Sequence, residues 1–310
     1  MTRLANVIDE KGLVPESVWK DVIDKIRRKT CGEGSKDKLK QAILDSVKKR
    51  VPKEEFAVFF SGGVDSALIA LILKQLGCKF TCYTVGFQSE NGEIPQDIWY
   101  AREIAKRFDL NYVEKVFNLK EASDIIKQAV KIFPTPKEFN AEYFVTIDVA
   151  SVVIAAKSIA KEKIFFSGLG AEEIFAGYNR HCKVEDVNAE CWRGLREMWS
   201  RDLYRDVTIG NALEIDLLVP FLDEEVIIEA MKIEGDKKIN DEHKKIILRE
   251  IAEEFGLSKE FAWRKKQGAQ YGSKFDKAIE KLAKMNGFEY KRDYIESLLK
   301  ENNKPSKKHK

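Results

Sequence analysis

Polar residues dominate positions 1–50, but apolar ones recur there at helical spacing. Trp19, Val22, Ile23 and Ile26 share one face of a helix that starts near Pro15. Leu39, Ile43, Leu44 and Val47 share a face of a second helix, about 37–50, which Pro52 ends. The pattern then changes to short apolar runs alternating with helical ones. Strand 56–60 precedes helix 65–76, strand 79–86 precedes helix 95–108, and strand 111–117 precedes helix 119–132. A long apolar helix of about 141–160 leads into strand 163–167. Such alternation predicts an α/β fold, a doubly wound parallel sheet with helices on both faces. Four strands are visible and a fifth is not. Helical periodicity dominates after residue 188, at 188–207, 223–232, 241–255 and 274–285, which predicts a helical C-terminal subdomain.

Composition narrows the class. The 310 residues are 44% hydrophobic, enough for a sizeable core. No apolar run approaches the ~20 residues of a membrane span. Residues 1–10 lack the basic-then-apolar layout of a signal peptide, so a cytoplasmic protein is expected. The five cysteines are odd in number and form no CxxC pair, and only three histidines are present. A zinc or iron–sulfur site therefore has little support, and Cys78 and Cys82 read as core packing. A net charge of +3 gives no sign of nucleic acid, which is disfavoured as a partner. The basic run Lys304 to Lys310 reads as a solvated tail, and the Trp19 face is the place to look for a partner surface.

Candidate chemistry concentrates at the joint between the first strand and its helix, Ser61-Gly62-Gly63-Val64-Asp65-Ser66. Ligands of a doubly wound sheet sit at the carboxyl ends of strands. Two glycines let a ligand approach the backbone, successive N–H groups form an anion nest, and the helix adds its positive end. No lysine follows as GxxxxGK[ST] requires, and the run is not GxGxxG. A carboxylate at a phosphate nest is repulsive without a cation, so Asp65 implies Mg2+. Asp65-Ser66 as a helix cap is the plainer alternative, but it leaves the preceding Ser-Gly-Gly unexplained. A second glycine-rich turn, Ser167-Gly168-Leu169-Gly170-Ala171-Glu172-Glu173, follows the fourth strand and should face the first. There Glu172 is either a second metal ligand or a residue favoured by the helix dipole. Val219-Pro220-Phe221-Leu222-Asp223 reads as a turn before a helix capped by Asp223. Ile247-Leu248-Arg249 and the basic run Arg264-Lys265-Lys266 suit a triphosphate, or a solvated loop.

SGGVDS resembles the PP-loop of the N-type ATP pyrophosphatases. With the second turn, PFLD, the ILR element and the basic loop, the stretch from about Phe56 to Leu282 resembles the synthetase domain of class B asparagine synthetases. The resemblance implies a helical N-terminal extension over 1–55, an ATP pyrophosphatase domain over 56–290, and a C-terminal helix with a basic tail over 291–310. It implies that Ser61, Gly62, Gly63, Asp65 and Ser66 bind pyrophosphate, with Asp65 and Glu172 on Mg2+. Val85 and Gly86 would contact adenosine through backbone atoms, Gly168 would lie near the α-phosphate, and Lys266 would steady the charge that develops in the intermediate and transition state. Two departures stand out. Leu169 occupies the position of a family glutamate assigned to the ammonia proton, and leucine accepts no proton. The N-terminal glutaminase domain, with its nucleophilic cysteine, is not expected in about 55 residues beginning Met1-Thr2. With SGLGAEEIFAGYNRH over 167–181, Arg201-Asp202-Leu203 and Gln270-Tyr271-Gly272-Ser273-Lys274, the chain resembles the asparagine synthetase domain-containing branch of this family.

The expected activity is an ATP-dependent amide ligase, forming AMP and pyrophosphate, that adenylates a carboxylate such as L-aspartate for attack by ammonia. Expected partners are these small molecules, a separate glutaminase subunit as nitrogen source, and a second copy in a homo-oligomer. Alternatives are a PP-loop enzyme acting on another acceptor, such as a tRNA nucleoside, or a non-catalytic ATP-binding paralogue.

Overall fold

Ala57, Val58 and Phe60 are almost fully buried, as an apolar run in mid-sheet demands. Ala57 and Val58 lie in the central strand and Phe60 just past its end, in a computed structural model that describes residues 8–9, 12–88, 92–133, 136, 139–265 and 268–302. Two short antiparallel strands, β1 (Ile8–Asp9) and β2 (Gly12–Leu13), precede α1 (Glu16–Lys29) and α2 (Lys36–Lys48). The alternating region follows as β3 (Ala57–Phe59), α3 (Val64–Gln75), β4 (Thr81–Phe87), α4 (Gln96–Arg107), β5 (Tyr112–Phe117), α5 (Leu119–Ile132), α6 (Ala141–Ile159) and β6 (Ile164–Phe166). Next come α7 (Ala171–Ile174), α8 (Val187–Glu197), a π-helical turn at Trp199–Leu203, α9 (Tyr204–Leu213) and β7 (Asp216–Leu218). The remaining helices are α10 (Glu224–Lys232), α11 (Ile246–Glu254), α12 (Lys259–Ala262), α13 (Ala269–Gly272), α14 (Phe275–Met285) and α15 (Lys291–Asn302).

The five-stranded sheet has the order β5-β4-β3-β6-β7, with parallel pairings of β3 to β4, β3 to β6 and β6 to β7. The chain starts in the middle, moves outward to β5 and returns to β6. The order therefore reverses between β3 and β6, and the loops after these two strands flank the crevice where a doubly wound sheet binds ligand.

Three elements differ from expectation. A fifth strand exists, and β7 pairs with β6 through Ile164↔Asp216, Phe165↔Leu217 and Phe166↔Leu218. Its three residues are too few to display a period. The helix expected over 188–207 runs instead to Leu213, broken by the π-helical turn. The helix expected from 241 begins only at Ile246, because Ile239 pairs with Lys244 and Lys245 takes a left-handed φ of 58°.

The chain divides into two compact units. The first comprises residues 1–83, 100–113 and 162–266. In it α3 is buried from Ala67 through Leu73 on every face, as its continuous apolar sequence requires. The N-terminal helices are built into the same core. Trp19 is 3% exposed and its indole N–H donates to Leu195 O at 2.8 Å, while Ser46 Oγ donates to Pro220 O at 2.7 Å. The Trp19 face is thus packing and not a partner surface. Asp223 caps α10 as expected, accepting from Glu225 N.

The second unit comprises residues 84–99, 114–161 and 267–310. Its α5 opens on a reciprocal capping box between Asn118 and Glu121. Val85 is buried on β4, and at Gly86 an added Cβ would lie 2.5 Å from Pro95 Cγ, so only glycine fits. In the first unit, Cys82 and Cys191 are buried and Cys78 partly so. No helix among the described residues is long and apolar enough to cross a membrane.

Candidate active site

The first loop is built by steric demand. Phe60 N donates to Tyr83 O at 2.9 Å and continues the ladder to the end of β3. At Gly62 the backbone has φ 65°, and a Cβ would sit 2.6 Å from Ala101 N, so the turn requires glycine. Gly63 then serves as the N-cap of α3 without a side-chain hydrogen bond. Its N–H donates to Ser61 Oγ at 3.2 Å, and Ser66 Oγ donates back to Gly63 O at 3.2 Å. The two hydroxyls are 3.4 Å apart. A twelve-residue helix thus points its positive end, with two serine hydroxyls, out of the sheet's carboxyl edge. Asp65 does not cap this helix; its carboxylate is engaged elsewhere.

The second loop comes from β6, the neighbour of β3, and meets the first. A Cβ at Gly168 would stand 3.0 Å from Asp65 Cβ. Gly170, at φ 93°, turns the chain into α7, whose first turn carries Glu172. Asp65 and Glu172 converge on one ammonium. Lys245 Nζ donates to Asp65 Oδ1 at 2.9 Å, to Asp65 Oδ2 at 2.6 Å and to Glu172 Oε1 at 2.6 Å. The lysine side chain is 2% exposed and each carboxylate residue 21%. Burial works against the charge of Lys245, but the two carboxylates outweigh it and hold its pKa above the ordinary lysine value.

A second cation borders the first loop. Arg264 Nη2 donates to Ser61 O at 3.2 Å, and its guanidinium lies 4.5 Å from the centre of the Tyr100 ring. Arg249, 4% exposed, ties the carriers of both cations together. Its Nε donates to Lys244 O at 2.6 Å, and its Nη1 donates to Arg264 O at 3.1 Å and to Ala262 O. Lys266 lies outside the described residues. Val85 and Gly86 lie in the second unit, on β4.

Below Glu172 runs a buried charged network. Arg201 donates to Glu173 at 3.0 Å and to Asp202 at 2.7 Å, and Arg205 donates to Asp202 at 3.1 Å and to Asp206 at 2.6 Å. Burial first, and then the Asp202 charge, push the Glu173 carboxyl up to about 8, against the pull of Arg201. Leu169 is half-buried and packs on the core, with only its backbone N–H turned to Ser167 Oγ, at 3.3 Å.

Sequence reasoning missed Lys245 and the fork of Arg249. The signal was the lysine two residues before Ile247-Leu248-Arg249, matching the family's K-x-ILR spacing. A lysine in a run of charged residues reads as solvated until the fold buries it. The donor set suits Mg2+. Two carboxylates from different loops already converge on one cation, and no third His, Cys, Asp or Glu joins them among the described residues. Magnesium is commonly held by one or two carboxylates and completed by phosphate oxygens and water.

A doubly wound sheet with two glycine-rich loops meeting at its switch point is the architecture of the α/β nucleotide-binding proteins. Within that class the chain belongs to the asparagine synthase family, whose model matches residues 38–185 and 182–293. It is 31% identical over 302 residues to a Methanocaldococcus jannaschii protein assigned as glutamine-hydrolyzing asparagine synthetase 1, covering 84% of this chain and 53% of that one. It is 29% identical over 252 residues to human glutamine-hydrolyzing asparagine synthetase, covering 77% and 44%. The chain thus spans about half the length of the curated relatives it matches. Among solved structures, NMN synthetase from Francisella tularensis has a TM-score of 0.40 at 12% identity, over 87% of this chain and 94% of that chain.

Proposed function

We propose that this chain is an ATP-dependent amide-forming ligase that cleaves ATP to AMP and pyrophosphate. L-Aspartate is the leading carboxylate acceptor and ammonia the nucleophile. The observation that carries the reading is the convergence of Asp65 and Glu172, from the loops after β3 and β6, on a single cation beside the open N-terminus of α3. A carboxylate oxygen attacks the α-phosphorus, the bond from that phosphorus to the bridging oxygen breaks, and pyrophosphate leaves. Ammonia then attacks the acyl carbon, AMP departs, and a proton is lost. Developing negative charge on the leaving pyrophosphate meets the first-loop N–H groups, the hydroxyls of Ser61 and Ser66, and the cations Lys245 and Arg264. Lys266 is the further cation that the family resemblance proposes. Asp65 and Glu172 would hold Mg2+, which when bound neutralises phosphate charge. Binding ATP and acceptor side by side supplies the remaining advantage of position.

Leu169 supports a second reading, in which the acceptor differs. Leucine cannot take the ammonia proton, so an acceptor other than an aspartate–ammonia pair, such as a tRNA nucleoside, fits that position as well. Pyrophosphate release from ATP and Mg2+, with L-aspartate and with or without ammonium, separates the two. Asparagine formation supports the first reading. Binding of ATP without aspartate-dependent pyrophosphate, together with a salt-sensitive tRNA gel shift, supports the second.

A further inference from the structure

We propose that Lys245 is the resident counter-ion of Asp65 and Glu172 and couples divalent-metal binding to nucleotide binding, so that metal enters with the nucleotide and not ahead of it. This rests on the nucleotide and metal reading above. Two carboxylates and one ammonium leave the cluster with a net charge of −1. Lys245 Nζ donates to three of the four carboxylate oxygens, so a metal must compete for oxygens that already serve a cation.

The ammonium has little freedom to withdraw. Lys245 is fully enclosed and sits at a left-handed backbone position, φ 58°. The carbonyl before it is held by Arg249 Nε at 2.6 Å. Gly177 stands so close that an added Cβ would lie 2.6 Å from Lys245 Cε. A divalent ion arriving alone therefore brings its charge against a buried positive charge that stays in place, and like charges at such range repel strongly. A triphosphate reverses the balance, because its negative charges give both cations a partner and its oxygens complete the metal's shell. The coupling is reciprocal: whatever nucleotide adds to metal affinity, metal adds to nucleotide affinity.

The test uses Mn2+ as a spin probe, titrated by electron paramagnetic resonance into the full chain, alone and with α,β-methylene-ATP. For the wild type, the nucleotide complex should bind Mn2+ about a hundredfold more tightly than the protein alone, and more tightly than the nucleotide does in protein-free buffer. Lys245→Met, or Lys245→Gln where the methionine variant does not fold, should bind Mn2+ alone about tenfold more tightly than the wild type. That gain should vanish when Asp65→Asn is added. Mn2+ binding by the wild-type nucleotide complex that is no tighter than binding by the protein alone or by the free nucleotide overturns the coupling and leaves the metal reading standing. So does a lysine variant that binds Mn2+ alone no better than the wild type. Nucleotide binding that draws in no Mn2+ overturns both. The wild-type titration, set against the same nucleotide in protein-free buffer, decides even if neither variant folds.

Discussion

Arg249→Lys is the sharpest perturbation short of the site itself. Arg249 spans two segments: Nε serves Lys244 O, and Nη1 serves Ala262 O and Arg264 O. A lysine keeps the charge but concentrates its donors on one atom, and cannot reach both sides of the fork. One or two charge-assisted hydrogen bonds are lost, each worth about 1.5–3 kcal/mol, so the destabilisation should be about 1.5–6 kcal/mol. The bonds broken also fix the carbonyl before Lys245 and the backbone of Arg264. A misplacement of about 1 Å at a catalytic cation costs on the order of a hundredfold. Urea unfolding gives the first quantity. Initial rates of pyrophosphate release, corrected for folded fraction well below Tm, give the second, expected as a 10–100-fold fall in kcat with a smaller change in nucleotide Kd. A variant within about 0.5 kcal/mol of wild type, turning over at full rate, refutes the assignment of Arg249 as a positioning residue.

Four further outcomes are expected. Asp65→Asn should reduce pyrophosphate release by about a thousandfold with circular dichroism unchanged, since a buried charge keeps Glu172 as its partner. Gly177→Ala should impair turnover, because its Cβ would lie 1.9 Å from Glu172 Oε2 and must displace the carboxylate, which a structure of the variant would reveal. Trp19→Ala should cost about 3–5 kcal/mol in chemical denaturation, for an indole 3% exposed that also donates to Leu195 O. The Glu173 carboxyl, raised in the fold from 4.5 to about 8, favours the protonated native state. Its contribution is full below the unfolded value and is lost as pH rises to about 8, by at most about 1.4 kcal/mol per pH unit. Unfolding of Glu173→Gln should accordingly depend less on pH between 5 and 8 than that of the wild type.

The legible parts of this molecule are those set by short-range pattern. The runs at 56–60, 79–86, 111–117 and 163–167 each overlap a strand of the sheet, and the two glycine turns follow β3 and β6. Gly62 is readable because its φ of 65° and the backbone 2.6 Å from its Cβ position exclude every other residue. Long-range placement was not legible. Asp216–Leu218 becomes a strand only because β6 offers it an edge. The Trp19 stripe is amphipathic whether it faces solvent partners or its own core, and only Leu195 O, 176 residues away, decides the matter. Lys245 is the deepest case. The helix expected over 241–255 gave no sign that this lysine is buried, and in the fold the charges of Asp65 and Glu172 outweigh its desolvation.

The most direct test is the fate of ATP itself. Purified chain, ATP, Mg2+ and L-aspartate should release pyrophosphate, and with ammonium present AMP, pyrophosphate and asparagine should appear in equal amounts. The same mixture with Asp65→Asn should yield about a thousandfold less. ADP and orthophosphate, or ATP bound with no pyrophosphate under any acceptor supplied, would contradict the account.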